Sequence, residues 1–135
     1  KVYSSIIKKG DADIVLSFEY IEGLRYVDYL KKDGSVISSS QKIIPMTVIF
    51  NDAKYPNNVE ALLQERAREV LFLDVIQMAA DLGNPKVINT ILLGVLAKRM
   101  DIPKETWLKV IERRVKPKTI EVNKKAFEAG YSYSV

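Results

Sequence analysis

The sequence predicts an α/β domain, a layered parallel-sheet, Rossmann-like fold with a helical carboxyl-terminal part. Three observations predict it. Short apolar runs of strand length alternate with helix-spaced stretches through the first 82 residues, from "DIVLSF" to "VLFLDV". From Asn84 onward the apolar residues recur at helical spacing without a further strand signal. Parallel neighbours need a crossover between them, so this order of elements favours a parallel sheet over hairpins. At 135 residues the chain reads as one domain, of a size that hides about 70% of its unfolded surface.

The first predicted strand spans Val2 to Ile7, followed by a turn at Lys9-Gly10-Asp11. "DIVLSF" (13–18) is apolar from Ile14 onward apart from Ser17, as a strand buried on both faces would be. A helix is expected over 19–30, where Ile21, Leu24, Val27 and Leu30 share a face and Glu19, Glu22 and Arg25 form an ion-paired edge. Lys31 and Lys32 suit its last turn, Gly34 a turn, and Ser35 to Ser39 a third strand. "TVIF" (47–50) reads as a fourth strand, "NDAKYPNN" as a turn-rich loop, and "VEALLQERA" as a helix. "VLFLDV" is a fifth, buried parallel strand, and "IQMAADL" continues as helix to Gly83.

"GNP" (83–85) makes a corner between helices. Gly83 ends one in the left-handed conformation, Asn84 caps the next, and Pro85 takes its first position, where a missing N–H costs nothing. On a helical wheel Val87, Ile88, Ile91, Leu92, Val95 and Leu96 cover one half, with Gly94 at one border and Asn89 at the other. Gly94 allows close helix approach. Asn89, at the edge of the buried face, needs a partner for its amide, in a neighbouring loop or in something bound there. "KETWLKVIERRV" and "TIEVNKKAFEAG" are amphipathic, with Leu108, Ile111 and Val115 on one face and Val122, Ala126 and Phe127 on the other's.

The chain has neither cysteine nor histidine. Their absence removes disulfides, thiolate zinc sites, cysteine nucleophiles, iron–sulfur ligation and histidine-based triads. The net charge of +4 is local, because residues 98–125 hold ten basic and four acidic side chains. No signal-peptide pattern opens the sequence, and its longest apolar run is too short for a bilayer, so a cytoplasmic protein is expected.

In open parallel sheets, ligands bind beyond the carboxyl ends of the strands. That rule selects Phe18-Glu19, Ser38-Ser39-Ser40 and Asp74. The serines could offer hydroxyl and N–H groups to an anion, or form a plain polar loop. Glu19, Glu22 and Arg25 suit a surface ion pair better than an acid/base pair, and Asp74 suits a helix cap better than a metal ligand. "RRVKPK" could hold nucleic acid, coenzyme A phosphates or an acidic electron carrier, or be a solvated helix face; Trp107 is better placed for packing than for stacking on bases.

"LGNPKVINTILLGVLAK" and "VNKKAFEAGY" resemble the tail of the gamma-type component of 2-oxoacid:ferredoxin oxidoreductases. "KVYSSIIKKGDADIVLSFEYIEGLRYVDYL" and "GSVISSSQKIIPMTVIFNDAKYP" are similar to the indolepyruvate ferredoxin oxidoreductase beta subunit. The likeness covers nearly the whole chain, which looks like the carboxyl-terminal two thirds of the gamma-type catalytic domain, its glycine-rich amino-terminal part missing. The resemblance implies a complex that decarboxylates a 2-oxoacid oxidatively to an acyl-CoA. Thiamine diphosphate and iron–sulfur clusters would sit on a larger partner subunit, with coenzyme A as co-substrate and ferredoxin as electron acceptor. This chain would bind none of these cofactors alone and would not be active alone. Its candidate residues on the substrate or coenzyme A side are Ser39, Ser40, Asn84 and Asn89. A membrane partner is not expected. The alternative reading is a small α/β module that holds RNA or DNA on its basic carboxyl-terminal helices.

Overall fold

In a computed structural model that describes residues 6–43 and 56–134, three parallel strands organise the first half of the chain. The elements are β1 (Ala12–Ser17), α1 (Tyr20–Tyr26), β2 (Leu30–Ser39), α2 (Val59–Gln64) and β3 (Glu69–Leu73), and the strand order is β1-β2-β3. Both pairings are parallel, so each helix lies within a crossover, as the alternating pattern predicts. The predicted strand at 47–50, the loop at 51–55 and residues 2–5 of the first predicted strand lie outside the described residues. Ile6 and Ile7, the end of that first strand, are exposed and outside any regular element.

Register assigns the two faces of this sheet. Val15, Val36 and Val70 lie abreast, and so do Ser17, Ser38 and Phe72. Val15 and Val36 pack with Val27, Leu30, Val59 and Leu63 in one apolar cluster, against which Tyr20, Leu24, Val70 and Phe72 lie. Leu16, Ile37 and Leu71 form a row on the opposite face, where Ile37 and Leu71 are buried. Burial on both faces therefore holds for β2, while Leu16 on β1 is only half covered.

Strand β2 begins earlier than its sequence suggests. The helix ends at Tyr26, Val27–Tyr29 form a 3-10 turn, and Leu30 opens β2 instead of closing the helix. Residues three apart share a face in a 3-10 turn as well as in an α-helix, so the Val27/Leu30 spacing fits both. Gly34 is a strand residue, not a turn. Between Ala12 and Ile14 of β1, the partner strand runs from Leu30 to Ser35, a bulge that brings the backbones close. A Cβ on Gly34 would lie 2.6 Å from Leu30 side-chain atoms and 2.9 Å from the Asp13 carbonyl oxygen. Lys31 Nζ donates to Asp13 Oδ1 at 2.7 Å across the same bulge.

The chain divides into two compact units, Lys1–Leu73 and Asp74–Val135, and the second is helical. It contains α3 (Val75–Asp81), a 3-10 turn (Pro85–Val87), α4 (Ile88–Ala97), α5 (Lys104–Arg114), a second 3-10 turn (Pro117–Thr119) and α6 (Ile120–Tyr131). Asp74, the last residue of the run read as a strand to Val75 apart from Val75 itself, caps α3 by accepting the Gln77 N–H at 3.0 Å. The "GNP" corner forms as expected: Gly83 has φ 72°, Asn84 Oδ1 accepts the Lys86 N–H at 3.0 Å, and Pro85 opens the 3-10 turn.

Helices α4 and α6 cross at glycines. A Cβ on Gly94 would fall on the Phe127 carbonyl oxygen and 2.7 Å from the Tyr131 nitrogen, and one on Gly130 would fall on the Ile91 carbonyl oxygen. Close approach at Gly94 is thus realised, with Gly130 as its counterpart. Asn89 departs from its expected place: it is exposed. Because α6 docks on the Gly94 side, the buried arc of α4 is turned toward Gly94 and Ala97, which leaves Asn89 in solvent. No helix among the described residues is long and apolar enough to cross a membrane.

Candidate functional site

The carboxyl ends of β1 and β2 bring together the polar groups of the sheet. Ser17 and Ser38 are opposite each other in register and buried, and their hydroxyl oxygens are 2.8 Å apart. Ser17 Oγ lies 2.9 Å from the Glu19 carbonyl oxygen, and Ser38 Oγ lies 2.9 Å from that of Ser39 and 3.5 Å from that of Glu19. Two hydroxyls own two protons, so one serine donates to the other while that other donates to a carbonyl. The pair closes on itself and ties the exit of β1 to the exit of β2.

The chain leaving β2 is held in the same way. Ser39 is buried, and its Oγ accepts the Gln41 N–H at 3.1 Å, a local turn of the kind serine favours. The Ser40 N–H donates to the Leu73 carbonyl at 2.8 Å, extending the β2–β3 ladder, and the Tyr20 N–H donates to the Gln41 carbonyl at 2.9 Å. Glu19 Oε1 accepts the Ile43 N–H at 3.0 Å. Glu19 is therefore no member of the ion pair, which joins Glu22 to Arg25 alone at 3.1 Å on the exposed side of α1. Its position one residue beyond the expected edge follows from its extended backbone ahead of the helix.

Beside these exits lies an apolar cavity of about 270 Å³, lined by Val15, Leu16, Ser17, Phe18, Glu19, Glu22 and Tyr26. Phe18 and Tyr26 are 48% and 50% exposed, so its walls carry two accessible aromatic rings. Lys42 Nζ stands 4.8 Å over the Tyr20 ring, a cation at the same end of the sheet. A larger cavity of about 490 Å³, lined by Gly10, Asp13, Lys31, Lys32, Asp33 and Gly34, opens at the amino ends of the strands, where parallel sheets do not place their ligands. The Lys31 ion pair with Asp13 already neutralises part of its charge.

Among the expected site residues, Ser39 and Ser40 come together at this strand end. Asn84 and Asn89 belong to the helical unit, where Asn84 serves as a cap and Asn89 is solvent-facing. A half-buried amide of that unit is Asn123, whose Oδ1 accepts the Thr90 O–H at 2.7 Å and whose Nδ2 donates to the Thr119 carbonyl at 2.8 Å. Ser17 and Asn123 were both legible in principle: each is a lone polar residue at an inward position of an apolar pattern. Trp107 stacks on Phe127 with ring centroids 6.4 Å apart, within the cluster of Ala97, Ile111 and Phe127, a packing role. Among the described residues no three carboxylate, imidazole or thiol side chains converge to hold a metal.

The profile of the pyruvate ferredoxin/flavodoxin oxidoreductase family matches residues 1–133. Indolepyruvate oxidoreductase subunit IorB of Thermococcus kodakarensis is 37% identical over 134 residues, covering 96% of this chain and 66% of that protein. The IorB proteins of Pyrococcus horikoshii, 36% identical with the same coverage, and of Archaeoglobus fulgidus, 30% identical over 99% of this chain and 69% of its own length, align similarly. The chain thus spans just under two thirds of the first two relatives. The fold matches the crystal structure of a keto/oxoacid ferredoxin oxidoreductase gamma subunit from Geobacter sulfurreducens PCA, with a TM-score of 0.64, 23% identity, and coverage of 93% of this chain and 66% of that one.

Proposed function

From the premise that this chain belongs to the pyruvate ferredoxin/flavodoxin oxidoreductase family, we propose that it is a subunit of a 2-oxoacid ferredoxin oxidoreductase of the indolepyruvate type. The complex oxidatively decarboxylates a 2-oxoacid to an acyl-CoA in the cytoplasm. The observation that carries this reading is the family match over residues 1–133 in a chain with neither cysteine nor histidine. A polypeptide so composed has no ligand for an iron–sulfur cluster and no imidazole base, so the redox chemistry belongs to a larger partner subunit.

Bound on the partner, thiamine diphosphate would supply the carbanion chemistry and iron–sulfur clusters would provide the route for electrons to ferredoxin. The part of this chain is to dock and to shape. The Ser17–Ser38 pair, the Ser39–Gln41 turn and the Glu19–Ile43 contact hold the exits of β1 and β2 in one geometry, which presents Phe18, Tyr26 and Ser40 on the substrate or coenzyme A side. Rigid walls of that kind keep water out and spare a bound acid the cost of ordering the loop.

Reconstitution tests the proposal. The thiamine-bearing subunit and the full-length form of this chain are purified separately and mixed, and 2-oxoacid-dependent dye reduction is followed. Activity is expected only in the mixture. Equal activity of the large subunit without this chain would show that the chain is no part of the enzyme.

A further inference from the structure

On α5, the surface beside the Trp107–Phe127 cluster is apolar at its centre and basic at its border. Ile102, Thr106, Trp107 and Val110 line a shallow cavity of about 200 Å³. Ile102 and Val110 are exposed large apolar residues, and Val110 is 50% exposed. Helical spacing sets Thr106, Val110, Arg113 and Arg114 along one stripe, with Lys109 at its side. None of Lys109, Arg113 and Arg114 pairs with a carboxylate among the described residues, whereas Lys104 and Lys124 are held by Glu128 and Glu112. The Trp107 Nε1–H is buried and lacks an acceptor among the described residues, an uncommon state for an indole.

Two magnitudes narrow the occupant. A cavity of 200 Å³ is smaller than the roughly 300–1,000 Å³ that small-molecule ligands fill, and it suits one inserted apolar side chain. Three unpaired cations beside it attract carboxylates and repel basic partners, and they steer association over about a Debye length. A nucleic acid would use the cations but leave an apolar centre without exposed aromatic rings for stacking unexplained.

We propose that this face of α5 receives an acidic amphipathic segment of the partner subunit, one apolar side chain entering between Ile102, Thr106, Trp107 and Val110 while flanking carboxylates meet Lys109, Arg113 and Arg114. The proposal rests on the reading of the chain as a docking subunit and names where the docking occurs. Such an anchor, desolvated at its centre and ringed by charge, has the build of an interface hot spot.

The experiment uses the full-length chain co-expressed with the thiamine-bearing subunit. Replacing Thr106 with the photo-crosslinker p-benzoylphenylalanine and irradiating the complex is expected to label a partner peptide rich in Asp and Glu around an apolar residue. Val110→Glu and the double variant Arg113→Glu/Arg114→Glu are expected to weaken retention of the partner at least tenfold, with the helical circular-dichroism signal unchanged, since all three positions are exposed. Labelling of a basic or neutral segment, of a second copy of this chain or of co-purified RNA would overturn the proposal, as would variants that retain the partner like wild type. A wild-type chain that never assembles overturns this proposal and the functional reading together, whereas assembly that the variants leave intact overturns this proposal alone.

Discussion

Gly94 of α4 and Gly130 of α6 stand back to back, each occupying space that the other helix's backbone would deny to a side chain. A Cβ on Gly94 meets Phe127 and Tyr131 backbone atoms, and one on Gly130 meets the Ile91 carbonyl. Backbone cannot rotate aside as a side-chain tip can. Gly94→Ala and Gly130→Ala should therefore push the two helices apart, each losing about 3 kcal/mol, at the upper end of overpacking costs. Gly23 is the internal comparison. Its Cβ would sit 3.4 Å from Ser17 Oγ, 3.5 Å from Val36 Cγ1 and 3.6 Å from Leu63 Cδ1, which is ordinary contact. Gly23→Ala should then gain about 0.5–1 kcal/mol of helix propensity. Urea unfolding of the three variants reads the contrast, and a Gly94→Ala protein as stable as wild type would contradict the close crossing.

One turn from that crossing, Thr90 and Asn123 make the polar contact between the same two helices. Thr90→Val keeps the shape and removes the proton donated to Asn123 Oδ1, which should cost about 1–2 kcal/mol. Asn123→Leu removes the acceptor together with its bond to the Thr119 carbonyl. Because both act on one contact, the double variant should lose less than the sum of the singles. Strict additivity in a double-mutant cycle would show that the hydroxyl and the amide do not interact.

How far the sequence disclosed this architecture depends on whether the signal was local. The Gly83-Asn84-Pro85 corner was legible because the left-handed glycine, the capping oxygen and the proline act on their own neighbours. Asn89 was misplaced because the direction of α4's buried face depends on where α6 docks, which is decided about 36 residues away at Gly130. The same applies to Gly34. In isolation it reads as a turn, yet it is required by the Leu30 side chain and the Asp13 backbone across a bulge that only the strand pairing creates. At the candidate site, Ser39 and Ser40 were marked by the strand-end rule. Ser17 stood out as a lone polar residue in an apolar run, but its partnership with Ser38 was hidden, since that follows from register between strands joined by a crossover.

That serine pair gives a prediction of its own. Ser38→Ala removes one of two buried hydroxyls and leaves Ser17 its bond to the Glu19 carbonyl, so a loss near 1 kcal/mol is expected. Ser17→Ala should cost a similar amount, and the double variant little more than either, because the surviving hydroxyl has already lost its partner. Under the proposed function, a loosened strand exit should raise KM for the 2-oxoacid or for coenzyme A in the reconstituted complex before it lowers kcat. Steady-state kinetics of Ser38→Ala in the reconstituted complex make the check, and a loss confined to kcat would place the pair outside substrate positioning.

The ion pairs at the amino ends of the strands set a pH response. Hydrogen bonding to Lys31 holds the Asp13 carboxyl below its ordinary range, and hydrogen bonding to Lys9, assisted by Arg66, does the same for Asp28. A carboxyl depressed in the folded state binds its proton less tightly there than in the unfolded chain. Its contribution is thus present above the ordinary carboxyl pKa of about 3.9 and is lost as pH falls from there through the lower folded value. Lys31 is raised by its hydrogen bond to Asp13, so its share is present below about 10.4 and is lost as pH climbs through the raised folded value. Both carboxyls are exposed, and salt should shrink their effect. Asp28→Asn should therefore be less stable than wild type at neutral pH and low salt, and the two should converge once acid has protonated Asp28 in wild type. Thermal unfolding at neutral and acid pH, in low and high salt, measures this. A gap that stayed constant down to the acid limit would mean that Asp28 acts through shape and not through charge.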